Sequence, residues 1–256
     1  MNLRQTVGVF CLLSLTLPLG WAEAACPTRG GNMVSVPAGS FLSGFGRVST
    51  QMDHDFCIDQ TEVTARAFNE CVAAGGCVGF QKWEACVAPV PGKSPNQCIK
   101  GFDEYPANFI DWGRAEAFCR WAGKRLPTGL EWEKAARGTD GRTFPWGNNE
   151  DCSRAQYERS YYFNACLGFG GKPNDTIRIG SFSNGASPYG ALDMAGNVKE
   201  WVEFRADPSV PPAEGVYAES RGGSFAEGAG YVSTFAADRL LGTAVSSAQS
   251  GFRCAY

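Results

Sequence analysis

The chain has 256 residues, 44% of them apolar and 19% charged, with a formal net charge of −3. That length can bury a full core in one large or two small domains, and no stretch reads as a linker. Charges are dispersed without a basic stripe, which excludes nucleic acid as a partner; 32 glycines beside 12% aromatics point to a loop-rich fold packed around rings.

At the N-terminus, Arg4 precedes an apolar run from Val7 to Leu19, and Ala22-Glu23-Ala24 offers small residues for cleavage. Residues 1–24 therefore read as an export signal and 25–256 as the mature domain. The run is shorter than the ~20 apolar residues a membrane-spanning helix needs, so no membrane association is expected after signal removal. Eleven cysteines agree with export, and Cys11 leaves with the signal. The remaining ten read as up to five disulfides in a secreted or periplasmic protein. Their spacing does not give the connectivity. Zinc is not expected, because no Cys-x-x-Cys pair occurs and His54 is the single histidine.

The first strands are expected at 33–41 and 56–59. A helix follows Thr61-Glu62-Val63-Thr64, with Phe68, Cys71 and Val72 on one face and Gly75-Gly76 as its stop. A second helix spans 113–122, with Ala115, Phe118, Cys119 and Ala122 inward and Gly123 at its end. The third opens on a capping box, Thr128 with Glu131, and closes at Gly138. Further strands are expected at 177–181, 216–225 and 251–256. Two long aperiodic stretches, 78–110 and 139–176, call for function or cross-linking.

Several blocks in one order carry a resemblance. They include Met33-Val34-Ser35-Val36-Pro37-Ala38-Gly39, Arg125-Leu126-Pro127-Thr128-Gly129-Leu130-Glu131-Trp132, Asp193-Met194-Ala195-Gly196-Asn197-Val198-Lys199-Glu200-Trp201, Arg221-Gly222-Gly223-Ser224-Phe225 and Gly251-Phe252-Arg253-Cys254. Together they resemble the formylglycine-generating enzyme, or sulfatase-modifying factor, family. The resemblance implies a loop-rich α+β fold related to the C-type lectin fold. It also implies a disulfide between Cys119 and Cys254. Short loops then suggest Cys71 with Cys77, Cys86 with Cys98 and Cys152 with Cys166, leaving Cys26 for Cys57. A second bridge of catalytic relatives is missing on both sides, at Ala136 and Ala237.

Catalytic relatives read Gly-Gly-Ser-Tyr-x-Cys-x-x-x-x-Cys in the Arg221–Val232 segment, and the two cysteines bind copper. Counting from Ser224, those positions hold Glu227 and Val232. A carboxylate and an isopropyl group do not replace two thiolates for Cu(I), so copper is not expected. The resemblance instead implies a structural calcium ion, held by the side chains of Asp193 and Glu200 and the carbonyls of Gly196 and Val198; oxygen-only donors suit it. The bland reading of that turn is an Asx-type turn with a solvated glutamate.

Two functions follow as expectations. One is a secreted or periplasmic binding module, with Tyr231, Glu227 and Arg221 contacting a peptide, a glycan or an envelope protein. The other is an oxidoreductase of the same superfamily acting on a peptide or siderophore precursor, with Glu227, Ser224 and Asp238 as candidate catalytic residues. Formylglycine generation itself ranks last. The structural alternative for each of these side chains is a solvated glutamate, a turn serine or an ion pair. Arg253 and Arg239 read as structural ion-pair residues, and Trp112, Trp132, Trp146 and Trp201 are expected in the core.

Overall fold

A computed structural model describes residues 26, 29–80, 94–158, 175–203, 217–241 and 246–256. The expected export segment lies outside them, as do Cys86 and Cys166 of the two short-loop pairings. Among the described residues no helix is long and apolar enough to cross a membrane.

Three helices form where their end signals stand. In α1 (Ala65–Ala73), Thr64 caps the Ala67 N–H, and Phe68 and Cys71 are buried. In α2 (Trp112–Trp121), Asp111 caps the Arg114 N–H, one residue ahead of the expected start, and Gly123 with φ +75° ends the helix. In α3 (Gly129–Arg137) the reciprocal Thr128–Glu131 capping box is complete. This last helix is buried from Glu131 to Arg137, charged residues included. Each charge has a partner: Arg125 for Glu131, Arg137 for Glu133, and the carbonyls of Pro37 and Gly39 for Lys134.

Among the described residues the strands make three sheets. β1 (Met33–Val36) pairs antiparallel with β4 (Phe56–Asp59), and β2 (Gly39–Ser43) pairs antiparallel with β3 (Val48–Met52). The third contains β5 (Lys199–Trp201), β6 (Tyr217–Arg221), β7 (Ala237–Leu241) and β8 (Ser250–Phe252), in the order β7-β6-β5-β8. Only β5–β8 is parallel within it.

The expected strand at 33–41 is two strands. Pro37 and Ala38 separate them, Gly39 opens β2 with φ +111°, and the buried Lys134 ammonium bonds the Pro37 and Gly39 carbonyls. No strand forms at 177–181, because its backbone donors serve three different segments. Ile177 N–H bonds Asn197 Oδ1, Ile179 N–H bonds the Glu104 carbonyl, and Gly180 N–H bonds Asp193 Oδ2. The expected 216–225 strand stops at Arg221, where Gly222 and Gly223 both turn to positive φ. After β8, the C-terminal residues continue as single bridges from Ala255 to Ile58 and to Arg125.

Cys119–Cys254 ties α2 to the chain beyond β8, Cys71–Cys77 closes the end of α1, and Cys26–Cys57 anchors β4. Cys98 and Cys152 are also disulfide-bonded. The largest apolar cluster packs Phe68, Ile110, Phe118, Trp201 and Phe252 around the Cys119–Cys254 bridge. A second gathers Phe41, Phe56, Ile58, Trp132 and Met194, and a third Phe144, Tyr157, Ala195 and Val232. Trp132 and Trp201 are thus core, while Trp112 and Trp146 are partly buried beside these clusters.

Candidate functional site

Gly222-Gly223 sets the site. Both glycines hold left-handed backbone, and a Cβ on Gly223 would meet the Tyr231 carbonyl and the Val232 side chain at 2.8 Å. The segment from Ser224 to Ala236 therefore folds back over the ends of β5, β6 and β7. It is pinned by Phe225 N–H to the Asn197 carbonyl and by Glu158 N–H to the Glu227 carbonyl.

This folding brings Glu227, Asp238, Arg221 and Tyr231 together around Lys199. Lys199 Nζ lies 3.2 Å from Glu227 Oε1 and 3.0 Å from Asp238 Oδ2, and Arg221 and Tyr231 complete the lining of the recess. Burial alone would lower the Lys199 pKa, but the two carboxylates outweigh it and raise it. The ammonium is a fixed cation, not a nucleophile. The recess itself holds about 10 Å³, room for roughly one water. An extended chain does not enter it as it stands; Tyr231, 61% exposed, offers a surface at its rim.

Arg221 and Ser224 are committed to structure. Arg221 is held by Glu133 and Glu219. Ser224 is fully buried; its hydroxyl bonds Gln249 Oε1 and accepts from the Ala226 N–H, so it serves the turn and is shielded from a ligand. Lys199 is the member of the cluster that sequence reasoning misses. No local signal marks it, because β5 has three residues and is too short to show alternation.

The two positions that the resemblance assigns to copper thiolates can be judged on their donors. Glu227 is ion-paired with Lys199. Val232 is fully buried against Phe144, Tyr157 and Ala195. Every cysteine among the described residues is in a disulfide. One carboxylate and one buried isopropyl group do not fit a soft ion.

The implied calcium turn is tightly built. Asp193 and Asn197 hold positive φ, at 56° and 57°. Asn197 exchanges bonds with the Ile177 backbone, and a Cβ on Gly196 would run into the Gln156 carbonyl. Val198 is buried. Asp193 Oδ2 accepts from Gly180 N–H at 2.5 Å. Glu200 is hydrogen-bonded on both oxygens. Its Oε1 accepts from Arg253 Nη2 at 2.7 Å, and its Oε2 accepts from Arg253 Nε at 2.6 Å and Trp132 Nε1 at 2.7 Å. These three donors take up three of the roughly four acceptor sites of the carboxylate. The glutamate of the implied calcium set is thus engaged by Arg253 and Trp132 in this structure. The alternative of a solvated glutamate fails, because Glu200 is fully buried.

Residues 20–256 match the family model described as the sulfatase-modifying factor enzyme 1-like domain. A formylglycine-generating enzyme of Thermomonospora curvata is 31% identical over 288 aligned positions, covering 87% of this chain and 92% of that protein. The inactive Cα-formylglycine-generating enzyme 2 of Bos taurus is 38% identical over 112 positions, 42% of this chain and 36% of that one. Among solved structures, PvdO from Pseudomonas aeruginosa superposes with a TM-score of 0.66 at 23% identity, covering 88% and 94% of the two chains. Treponema denticola variable protein 1 gives 0.63 at 21% identity, covering 87% and 94%. The fold is thus the loop-rich α+β fold of this superfamily, related to the C-type lectin fold, and the chain belongs to the formylglycine-generating enzyme, or sulfatase-modifying factor, family.

Proposed function

We propose that this family member is an exported binding module that does not oxidise cysteine to formylglycine. The observation carrying the reading is the Lys199–Glu227–Asp238 ion cluster, which occupies the place where the resemblance puts a copper dithiolate. The disulfides support an oxidising compartment, secreted or periplasmic. A peptide, glycan or envelope protein would lie across the Tyr231 rim and compete for Glu227 and Asp238, rather than enter a preformed pocket. An oxidoreductase acting on a peptide or siderophore precursor is disfavoured, because Lys199 holds both carboxylates that such chemistry would use as base.

Coexpression with a peptide carrying a sulfatase motif, followed by mass measurement of its cysteine, is the direct test. The peptide should stay unmodified, and Cu(I) titration of the purified protein should find no tight site. Aldehyde formation would overturn the proposal. Peptide and glycan arrays should return ligands whose binding drops in Tyr231→Ala and Glu227→Gln.

A further inference from the structure

Strand register decides which charges the outer recess sees. Ser220 of β6 stands opposite Trp201 of β5 and opposite Asp238 of β7. Residues paired across antiparallel strands share a face, as do residues two apart on one strand, so Lys199, Ser220 and Asp238 all point to the recess side. Arg221, the next residue of β6, points to the other side, where Glu133 and Glu219 hold its guanidinium. On the recess side Lys199 is thus the one cation facing both Glu227 and Asp238, and one carboxylate is in excess.

Two oxygens there are also unspent. Ser220 is 1% exposed, and its Oγ has no hydrogen-bond partner among the described residues. The same holds for Glu227 Oε2, because Lys199 takes the other oxygen, Oε1. Both residues line the recess, whose volume of about 10 Å³ admits one nitrogen or oxygen atom. A carboxylate only accepts, so the group that completes Glu227 must donate. Water would supply the hydrogen bond and leave the excess charge. A guanidinium would supply the charge, but its planar fork is larger than the recess. An ammonium is a single heavy atom with three donors and one positive charge. The exposed Tyr231 ring at the rim offers the surface along which an alkyl stem lies while its charged tip turns inward.

We infer that the recess is a subsite for a primary ammonium on an alkyl stem, the head group of a lysine side chain in a peptide ligand. The ammonium donates to Glu227 Oε2 and Ser220 Oγ, and Lys199 and the incoming cation then hold the two oxygens of Glu227 separately. The inference rests on the ligand reading of the Tyr231 rim and names the chemistry that the rim selects.

The test uses the full mature chain against peptides of one neutral host sequence whose central residue is lysine, Nε-acetyl-lysine or arginine, with spermidine as a competitor. The lysine peptide should bind about tenfold or more tightly than the other two. In Ser220→Ala and in Glu227→Gln that preference should shrink to about threefold or less. The three-peptide comparison needs only the unmodified chain, so it decides even if a variant does not fold. Displacement by spermidine more readily than by the lysine peptide keeps the ammonium subsite and makes a free polyamine its source. Equal binding of lysine and acetyl-lysine peptides, lost in Tyr231→Ala, would overturn the ammonium subsite and leave the rim as a ligand surface; so would silence of every amine beside glycan ligands lost in Tyr231→Ala. Silence of peptides, spermidine and glycans alike would remove the rim reading and the subsite with it.

Discussion

Two ion clusters sit on the two sides of β5, and they obey different physics. Around Arg253 and Glu200, with side chains 0% and 1% exposed, three backbone carbonyls and the Trp132 indole are built into the network. The Lys199–Glu227–Asp238 cluster is made of side chains only, 12%, 19% and 39% exposed. Removing one member of the first leaves a buried charge and broken main-chain contacts. Removing one member of the second exposes a group that water can reach. The interior cluster therefore fixes the fold, whereas the outer one is free to change with function.

The largest effects should come from the interior side. Opening the Cys119–Cys254 bridge by Cys119→Ser with Cys254→Ser frees a span of 135 residues, at a cost of about 4–5 kcal/mol in the chain-entropy model. Urea unfolding should show it as a lower midpoint. Arg253→Met should follow at about 3–5 kcal/mol, because Glu200 is then buried without its partner. A loss below about 1 kcal/mol in Arg253→Met would break the contrast, since it would place the interior pair in the surface class.

Much of this is legible in the sequence, for physical reasons. The caps at Thr64 and Thr128 and the stop at Gly123 are local, so α1 to α3 can be placed nearly to the residue. Cys119–Cys254 follows from the resemblance, and Arg253 is the ion-pair residue that its setting suggests. Short strands are harder. β5 has three residues and is defined by neighbours far along the chain, β8 and β6, so no alternation announces it. The stretch 177–181 has strand-like composition, but its backbone donors are taken by Asn197, Glu104 and Asp193. Sequence spacing also does not show that Glu200 is claimed by an arginine 53 residues away. Nor does it show that Glu62, inside a helix-entry motif, comes within reach of Asp193.

Glu131 tests the interior side by acid. Burial alone would raise its pKa, but hydrogen bonds from Arg125 and from the Thr128 N–H hold it at about 2, against 4.5 for a free glutamate. A folded pKa below the unfolded one means its stabilisation is fully present above about pH 4.5 and is lost as pH falls towards about 2. Across that window the protein should lose on the order of 2–3 kcal/mol more than its Glu131→Gln variant, by urea midpoints measured at each pH. Parallel acid curves for the two would show that the capping box does not depend on the charge.

The smallest effect sharpens the comparison most. Glu227→Gln keeps the shape of the side chain and removes one of the two carboxylates on Lys199, while Glu227 Oε2 has no hydrogen-bond partner to lose among the described residues. Asp238 still holds the ammonium. Its cost should stay below about 1 kcal/mol, the range of partly exposed pairs. A double-mutant cycle between Lys199→Met and Glu227→Gln should likewise give a coupling of about 1 kcal/mol or less, whereas a cycle between Arg253→Met and Glu200→Gln should exceed it several-fold. Equal couplings would mean that the outer cluster is as much a part of the folding core as the inner one. In that case Lys199 and Glu227 would be a structural replacement for lost thiols, and ligand binding would have to be sought away from the Tyr231 rim.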